Sequence, residues 1–117
     1  MRLVEIRTYR LKPGTADRFL TAFREALPLV RESGMDVVAF GRSDHEQESF
    51  HLVRAYRDRA HLEAQQEAFY TSDAWRRGPR EPLVACIDDY LNTLLWLSEQ
   101  GVEDLRRSND PGGSRGD

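Results

Sequence analysis

The sequence has few of the residues that support disulfide or membrane structures. Cys86 is the single cysteine among 117 residues, so no disulfide forms within the chain, and its place in the apolar run LVACI indicates a buried, unreactive thiol. No segment approaches about 18 consecutive apolar residues, and the N-terminal MRLVEIRTYR lacks the apolar core of a signal peptide. We therefore expect a cytoplasmic protein that does not contact a membrane.

Several catalytic motifs are also missing. The sequence has no P-loop, no glycine fingerprint for dinucleotides, no serine nucleophile elbow and no paired cysteines for zinc. His45 stands in a polar loop among acidic residues, and the spacing matches no metal-binding motif. We therefore predict no metal and no cofactor, and we interpret His45 as a surface residue.

The charge distribution argues against nucleic acid as a partner. The chain has 17 basic and 20 acidic residues, a net charge of −3 and a pI near 5.6. The basic residues are scattered among acids instead of forming a stripe. A hydrophobic fraction of 39% over 117 residues is typical of one globular domain, so we expect one core and one site.

Residue spacing predicts the order of strands and helices. Apolar and polar residues alternate in four segments, which indicates strands, and apolar residues recur at three- and four-residue intervals between them, which indicates helices. Thr15 or Pro13 begins the first helix and Gly34 ends it, while Asp58 and Asp73 cap a second helix and a short third one. The predicted elements are strand 3–11, helix 15–34, strands 37–43 and 49–57, helix 58–70, a short helix from 73 and strand 90–97.

This order predicts an α+β fold, a ferredoxin-like β-α-β-β-α-β protomer whose four-stranded antiparallel sheet carries helices on one face. Residues 1–98 are expected to form this domain. From residue 99 the apolar periodicity is lost, so the polar tail 99–117 is expected to be disordered. The other face of the sheet needs a cover, and a second copy of the chain is the simplest candidate, so we predict a homodimer.

The two-residue period of a strand assigns its side chains to the two faces of the sheet. Small aliphatic residues such as Val4, Val53 and Ala55 share one face, and we expect the helices to pack there. The opposite face carries charged and aromatic residues, which we expect to face the partly polar lumen of a barrel formed by two sheets. This second set is Glu5, Arg7, Tyr9, Phe40, Arg42, Arg54 and Tyr56.

Three segments carry a family pattern: EIRTYRLKPG, FHLVRAYRDRAHLEA and TSDAWRRG. Together they resemble the NIPSNAP family of the dimeric α/β-barrel superfamily, over about residues 3–97. The resemblance implies a ferredoxin-like protomer and a homodimer in which two sheets form a barrel with the helices outside. Superfamily relatives include cofactor-free and haem-degrading monooxygenases, aldoxime dehydratases, muconolactone isomerase and polyketide cyclases, whereas the family's own role is poorly defined. Arg54 departs from the aromatic residue that is more usual at this position.

Three residues are candidate catalytic groups: His51, Arg7 and Tyr9. His51 lies on the face expected to meet the helices, where a neutral imidazole serves as a general acid or base, and a core histidine bonded to a backbone carbonyl is the alternative. Arg7 would hold a carboxylate or enolate while Tyr9 donates a proton, and the alternative is a structural ion-pair network with Glu5. The candidate substrate-binding residues are Glu5, Phe40, Arg54, Tyr56, His61 and Trp75.

These residues support an enzyme hypothesis and a binding hypothesis. In the first, a dimeric barrel acts without a cofactor on a hydrophobic, aromatic or polyketide-like molecule in bacterial secondary metabolism, by proton transfer, cyclisation or oxygenation. In the second, the protein is non-catalytic and holds a hydrophobic small molecule or a partner. A third hypothesis is haem binding, as in some superfamily relatives, with His51 or His61 as the axial ligand.

Overall fold

The computed structural model describes residues 1–108, which form a four-stranded sheet with helices on both faces. Within these residues, no helix has the length and apolar character needed to cross a membrane. The elements are, in chain order, β1 Arg2–Leu11, α1 Ala16–Glu32, β2 Asp36–Ser43, β3 Ser49–Tyr56, α2 Arg59–Tyr70, α3 Asp73–Arg77, α4 Arg80–Val84, β4 Ile87–Leu97 and α5 Glu99–Ser108.

The sheet has the strand order β2-β3-β1-β4 with every neighbouring pair antiparallel, which confirms the predicted ferredoxin-like α+β fold. β1 and β3 are the central strands, and their register places Glu5 opposite Arg54 and Arg7 opposite Leu52. β4 is an edge strand, and its register against β1 places Asn92 opposite Arg7. Three segments that are distant in sequence therefore meet at β1.

The first helix packs its apolar face on the sheet. Phe19 and Phe23 lie one turn apart on α1 and contact Phe50 of β3, with ring centroids 4.8 and 5.1 Å away. The helix follows a turn at Gly14, whose φ of 79° favours glycine. Glu48 fixes this turn, because its carboxylate accepts a hydrogen bond from the backbone N–H of Gly14.

Two further helices begin with side-chain caps. Asp58 caps α2 as predicted, because its Oδ1 accepts a hydrogen bond of 2.8 Å from the backbone N–H of His61. The cap of α3 is Ser72 and not Asp73, since the Ser72 hydroxyl accepts a hydrogen bond of 3.2 Å from the N–H of Trp75. Both helices cover the same face of the sheet as α1.

The segment before β4 contains a helix that the sequence pattern did not indicate. Pro79 is the N-cap of α4 and Pro82 lies in its first turn, where a missing backbone N–H costs no intrahelical hydrogen bond. Cys86 follows with no exposed surface, as predicted. β4 begins at Ile87, earlier than the predicted start at Tyr90.

The C-terminal helix α5 packs on the face of the sheet opposite α1. Val102 has no exposed surface and packs with Val4 and Val53, which lie on the two central strands. Arg106 anchors the helix to β2, because its Nη1 lies 2.8 Å from Oδ1 of Asp36. Burial of one valine and an ion pair thus hold α5 in place.

α5 corrects two expectations. The sequence predicts a disordered tail over 99–117, whereas residues 99–108 form a helix; the rest of the predicted tail, 109–117, lies outside the described residues. The sequence also predicts helices on one face only. Both expectations fail because α5 is largely charged, so its few apolar residues give too weak a pattern for a helix that depends on tertiary packing.

Candidate functional site

A cavity of about 470 Å³ lies between the sheet and the layer of helices α1 to α4. This volume falls in the range of small-molecule sites. Aromatic and aliphatic side chains supply most of its walls, among them Phe19, Phe69, Trp75 and Leu83. The polar residues that line it are Arg7, Tyr9, Arg54, Tyr70, Asp88, Asp89 and Tyr90.

Glu5 connects the polar groups next to the cavity. The residue is 1% exposed, and its Oε1 accepts a hydrogen bond of 2.8 Å from Nε of Arg54. Its Oε2 accepts hydrogen bonds from Nη2 of Arg7 at 3.3 Å, Nε2 of Gln66 at 3.0 Å and Nδ2 of Asn92 at 3.1 Å. The carboxylate is therefore fully bonded, and two guanidinium groups offset the cost of burying its charge.

Arg54 joins Glu5 on the sheet to the end of α2. Its side chain is 1% exposed, and its Nη1 donates a hydrogen bond of 2.8 Å to the hydroxyl of Tyr70. Its Nη2 lies 2.5 Å from Oε1 of Glu5 as an ion pair, yet it is not aligned for a hydrogen bond with any group of the described residues. Arg54 therefore has unused donor capacity inside the protein.

Tyr9 lines the cavity beside Arg7. Its ring packs against Phe19, with centroids 5.4 Å apart, and against Tyr90, with centroids 6.1 Å apart. Burial raises the pKa of Tyr9 to about 12, although the guanidinium groups of Arg7 and Arg54 oppose this rise. Tyr9 is therefore a neutral phenol at physiological pH, with a proton available for donation.

The structure reverses the predicted assignment of the two sheet faces. The charged and aromatic set faces the helices α1 to α4 and not a lumen between two sheets. The small aliphatic residues do pack under a helix, but that helix is α5. The prediction was wrong because it lacked α5 and because Arg54 and Arg7 pair with the Glu5 carboxylate, which permits its burial under the helices. The residues concerned are Glu5, Arg7, Tyr9, Phe40, Arg42, Arg54 and Tyr56.

His51 lies on the face opposite the cavity. Alternation along β3 places it with Val53 on the side of α5, so its predicted contact with the main helix layer is wrong. Its Nδ1 lies 3.0 Å from the hydroxyl of Ser43, and partial burial lowers its pKa. Chemistry in the cavity therefore has no access to this imidazole.

Four of the six predicted binding residues do not line the cavity: Glu5, which lies beside it, and Phe40, Tyr56 and His61. Phe40 is buried in the aromatic core under α1. Tyr56 is buried as well, and its hydroxyl accepts a hydrogen bond of 3.2 Å from Nε2 of Gln66. His61 lies at the start of α2, where its Nδ1 accepts a hydrogen bond of 3.0 Å from the N–H of Arg57. Of the residues predicted for the site, those that line the cavity are Arg7, Tyr9, Arg54 and Trp75.

Tyr70, Gln66 and Asn92 complete the polar cluster and were not among the predicted site residues. Gln66 carried a recognisable signal, because it lies on the same face of α2 as the buried Leu62 and Phe69. Asn92 is a polar residue next to Leu91 in β4, but its contact with Glu5 depends on a register that the sequence does not reveal. Tyr70 carried the same signal as Gln66, because it follows Gln66 by four residues on the same face of α2.

A comparison with family models agrees with this geometry. The NIPSNAP model matches residues 4–97, which include all four strands of the sheet apart from the first two residues of β1. The chain belongs to the NIPSNAP family. The resemblance seen in the three sequence segments is thereby confirmed.

Solved structures share this fold. An uncharacterised NIPSNAP domain protein from Burkholderia xenovorans is 25% identical, with a TM-score of 0.72 over 83% of this chain and 95% of that one. A NIPSNAP family protein from Agrobacterium tumefaciens is 18% identical, with a TM-score of 0.73 over 85% and 95%. A Bordetella bronchiseptica protein named "Putative antibiotic biosynthesis monooxygenase" is 19% identical, with a TM-score of 0.67 over 83% and 97%. No curated protein matches the chain.

Proposed function

We propose that this NIPSNAP protein is an enzyme that acts without a cofactor on a hydrophobic, aromatic or polyketide-like small molecule. The observation that carries the proposal is the cavity of about 470 Å³, where a phenol and two guanidinium groups stand against aromatic walls. Such groups stabilise negative charge that develops on a substrate oxygen during proton transfer, cyclisation or oxygenation. The low dielectric of an apolar cavity strengthens this stabilisation.

The lining residues suggest a role for each group. Arg7 would hold the oxygen that gains negative charge, and Tyr9 would donate a hydrogen bond or a proton to it. Proton abstraction also needs a base, which Asp88 would supply at the mouth of the cavity. The neighbouring Asp89 is less suited, because it forms an ion pair with Arg10.

Structural neighbours support a setting in bacterial secondary metabolism. A Caulobacter crescentus protein carries the same name as the Bordetella protein and superimposes with a TM-score of 0.62 at 12% identity. Because such identities show the fold alone, the biosynthetic setting is part of the proposal and follows from no shared residue.

Native mass spectrometry of the protein purified from its own organism tests the proposal first. We expect a bound aromatic molecule, and we expect the Trp75→Ala variant to lose most of it, because Trp75 supplies a wall of the cavity. Trp96→Ala is the matched control, since Trp96 is 51% exposed on β4 and does not line the cavity. Equal retention by both variants would contradict the cavity as the binding site.

A turnover assay with the recovered molecule then separates the catalytic roles. We expect Tyr9→Phe to lower the rate about 100-fold or more, which is the usual contribution of a positioned acid or base. His51→Ala should leave the rate unchanged, because His51 faces away from the cavity. If His51→Ala abolished turnover and Tyr9→Phe did not, the reaction would belong to the other face of the sheet.

Non-catalytic binding is the second candidate function. The observation that favours it is that, within residues 1–108, no histidine, cysteine or serine lines the cavity, so the usual nucleophiles are missing there. In this case the protein would release the recovered molecule chemically unchanged. Turnover in the assay decides between the two candidates.

We also propose that the chain forms a homodimer through the part of the sheet that α5 leaves open. Thr8 lies between His51 and Leu91 in the register of the sheet, and Leu91 is 69% exposed. A second copy of the chain packed on this face would bury the exposed leucine.

Native mass spectrometry is expected to give twice the chain mass of 13.5 kDa, and Leu91→Arg is expected to give the single-chain mass. Val84→Arg serves as the control, because Val84 is 42% exposed on the opposite side, in α4. A wild-type protein of single-chain mass would overturn the dimer.

A further inference from the structure

The charged groups next to the cavity do not cancel. One carboxylate, Glu5, faces two guanidinium groups, Arg7 and Arg54, and arginine stays protonated in proteins. The cluster therefore carries a net charge of +1. Glu5 and Arg54 are each 1% exposed, so water does little to solvate this excess charge. A buried net charge is costly unless a counter-ion completes the pairing.

Arg54 has one terminal nitrogen, Nη2, whose donors the described chain does not fully use. Of its five N–H groups, Nε donates to Glu5, and Nη1 donates to the Tyr70 hydroxyl at 2.8 Å and to Sδ of Met35 at 3.6 Å. Nη2 is buried and lies 2.5 Å from Oε1 of Glu5 as an ion pair, but it is not aligned for a hydrogen bond with the described residues, although Arg54 lines the cavity. Buried donors of native proteins normally have partners, and the two N–H groups of Nη2 have one carboxylate oxygen beside them, so they can take a further acceptor.

We infer that the cavity recognises a monoanion, a molecule whose single carboxylate or enolate oxygen binds Arg54 and Arg7 and whose flat apolar body lies against the aromatic walls. The inference rests on the proposed function, because it names the ligand class of the same cavity. One negative charge neutralises the cluster, whereas a neutral molecule leaves it uncompensated and a dianion reverses its sign. Phe69 and Trp75, with ring centroids 5.3 Å apart, provide the apolar surface for the body.

Two carboxylates at the mouth of the cavity do not prevent this recognition. Asp88 and Asp89 are exposed, Asp89 pairs with Arg10, and Asp88 accepts a hydrogen bond of 3.4 Å from Gln47. Water and salt screen exposed charges over about 10 Å. The Glu5 cluster acts in the interior, where charge interactions are stronger, so it determines the sign of the bound headgroup.

The Tyr9 phenol assists the same headgroup. Tyr9 lies next to Arg7 in the cavity and stays protonated at neutral pH, so it adds a neutral donor without adding charge. A carboxylate accepts several such hydrogen bonds, and those to charged donors are the strongest.

Isothermal titration calorimetry with 2-naphthoate and 2-naphthamide tests the inference. The two molecules share size and shape and differ in charge. We expect wild-type protein to bind naphthoate more tightly, on the order of tenfold to a hundredfold, as charge-assisted hydrogen bonds imply. Arg54→Met should reduce this ratio to about one. Arg7→Gln should also reduce it, and it keeps the test decisive if Arg54→Met fails to fold.

Arg42→Gln is the matched control, because Arg42 lies on the same face of the sheet but pairs at the surface with Asp17 of α1. This variant should keep the wild-type ratio. Equal affinities of wild-type protein for the two molecules would contradict the inferred preference for a monoanion, although the cavity would still be a binding site. If neither molecule bound, the cavity would not be a binding site for aromatic molecules of this size. If the affinity ratio stayed the same in both Arg54→Met and Arg7→Gln, the anion would bind elsewhere.

Discussion

Glu5→Gln is expected to lower the free energy of unfolding by about 3–5 kcal/mol, the usual cost of removing one partner from a buried ion pair. The substitution keeps the shape of the side chain and removes its charge. Arg54 then remains as a buried cation and Arg7 as a partly buried one, both without the Glu5 carboxylate, and Arg54 has almost no contact with water to compensate. Urea unfolding followed by circular dichroism measures the change, provided that the slope of the transition is unaltered.

Two further variants make this result specific. Glu99→Gln removes an exposed carboxylate 3.7 Å from Arg2, so it should change stability by less than about 1 kcal/mol. Glu5→Gln combined with Arg54→Met should recover part of the loss, because the double variant removes one uncompensated cation. A cost of Glu5→Gln similar to that of Glu99→Gln would show that the cluster does not depend on the Glu5 charge.

The strands of this fold were predicted from the sequence, and the C-terminal helix α5 was not. The strands are visible because their two-residue period is a local property, and Pro13 and Gly14 mark where the first one ends. The sequence pattern does not indicate α5, because Val102 is its single buried residue and most of its neighbours are polar or charged. Its stability comes from the sheet residues beneath it, which are distant in sequence.

The two faces of the sheet were separated correctly but assigned to the wrong layers. Periodicity shows that Glu5 and Arg7 share a face, and it contains no information about which face the long helices cover. Charged residues normally indicate the more polar side. Here Arg54, Gln66 and Asn92 satisfy the Glu5 carboxylate, so the polar set is buried under the helices.

The composition of the site depended on contacts that no local pattern encodes. Arg54 and Glu5 are 49 positions apart, and Asn92 and Glu5 are 87 apart. Their meeting follows from the registers of two strand pairs, which turns and core packing determine. His51 shows the converse, since it is next to Leu52 in sequence but on the other face of the sheet. Residue type alone therefore identified Arg7 and Tyr9 and misplaced the histidine.

Raising the pH from 10 to 12 is expected to lower the stability of the wild-type protein by up to about 2–3 kcal/mol through Tyr9. The folded protein raises the pKa of this phenol to about 12 from its ordinary value of 10.0. Between these values the unfolded chain has released the Tyr9 proton while the folded chain keeps it. The unfolded state then binds fewer protons, so the free energy of unfolding falls as the pH rises. Below pH 10 both states hold the proton, and the contribution is complete.

Urea unfolding of wild-type protein and Tyr9→Phe across this range isolates the effect. Burial also raises the pKa of Tyr56, so both proteins lose some stability, and the difference between their slopes belongs to Tyr9. Trp96→Phe is the control, because Trp96 is 51% exposed and carries no titrating group, so its replacement should leave the wild-type slope unchanged. Parallel curves for wild-type and Tyr9→Phe would mean that the folded protein does not favour the neutral phenol. That result would contradict Tyr9 as the proton donor of the cavity. A smaller loss of stability with rising pH in Tyr9→Phe would support this role independently of any substrate.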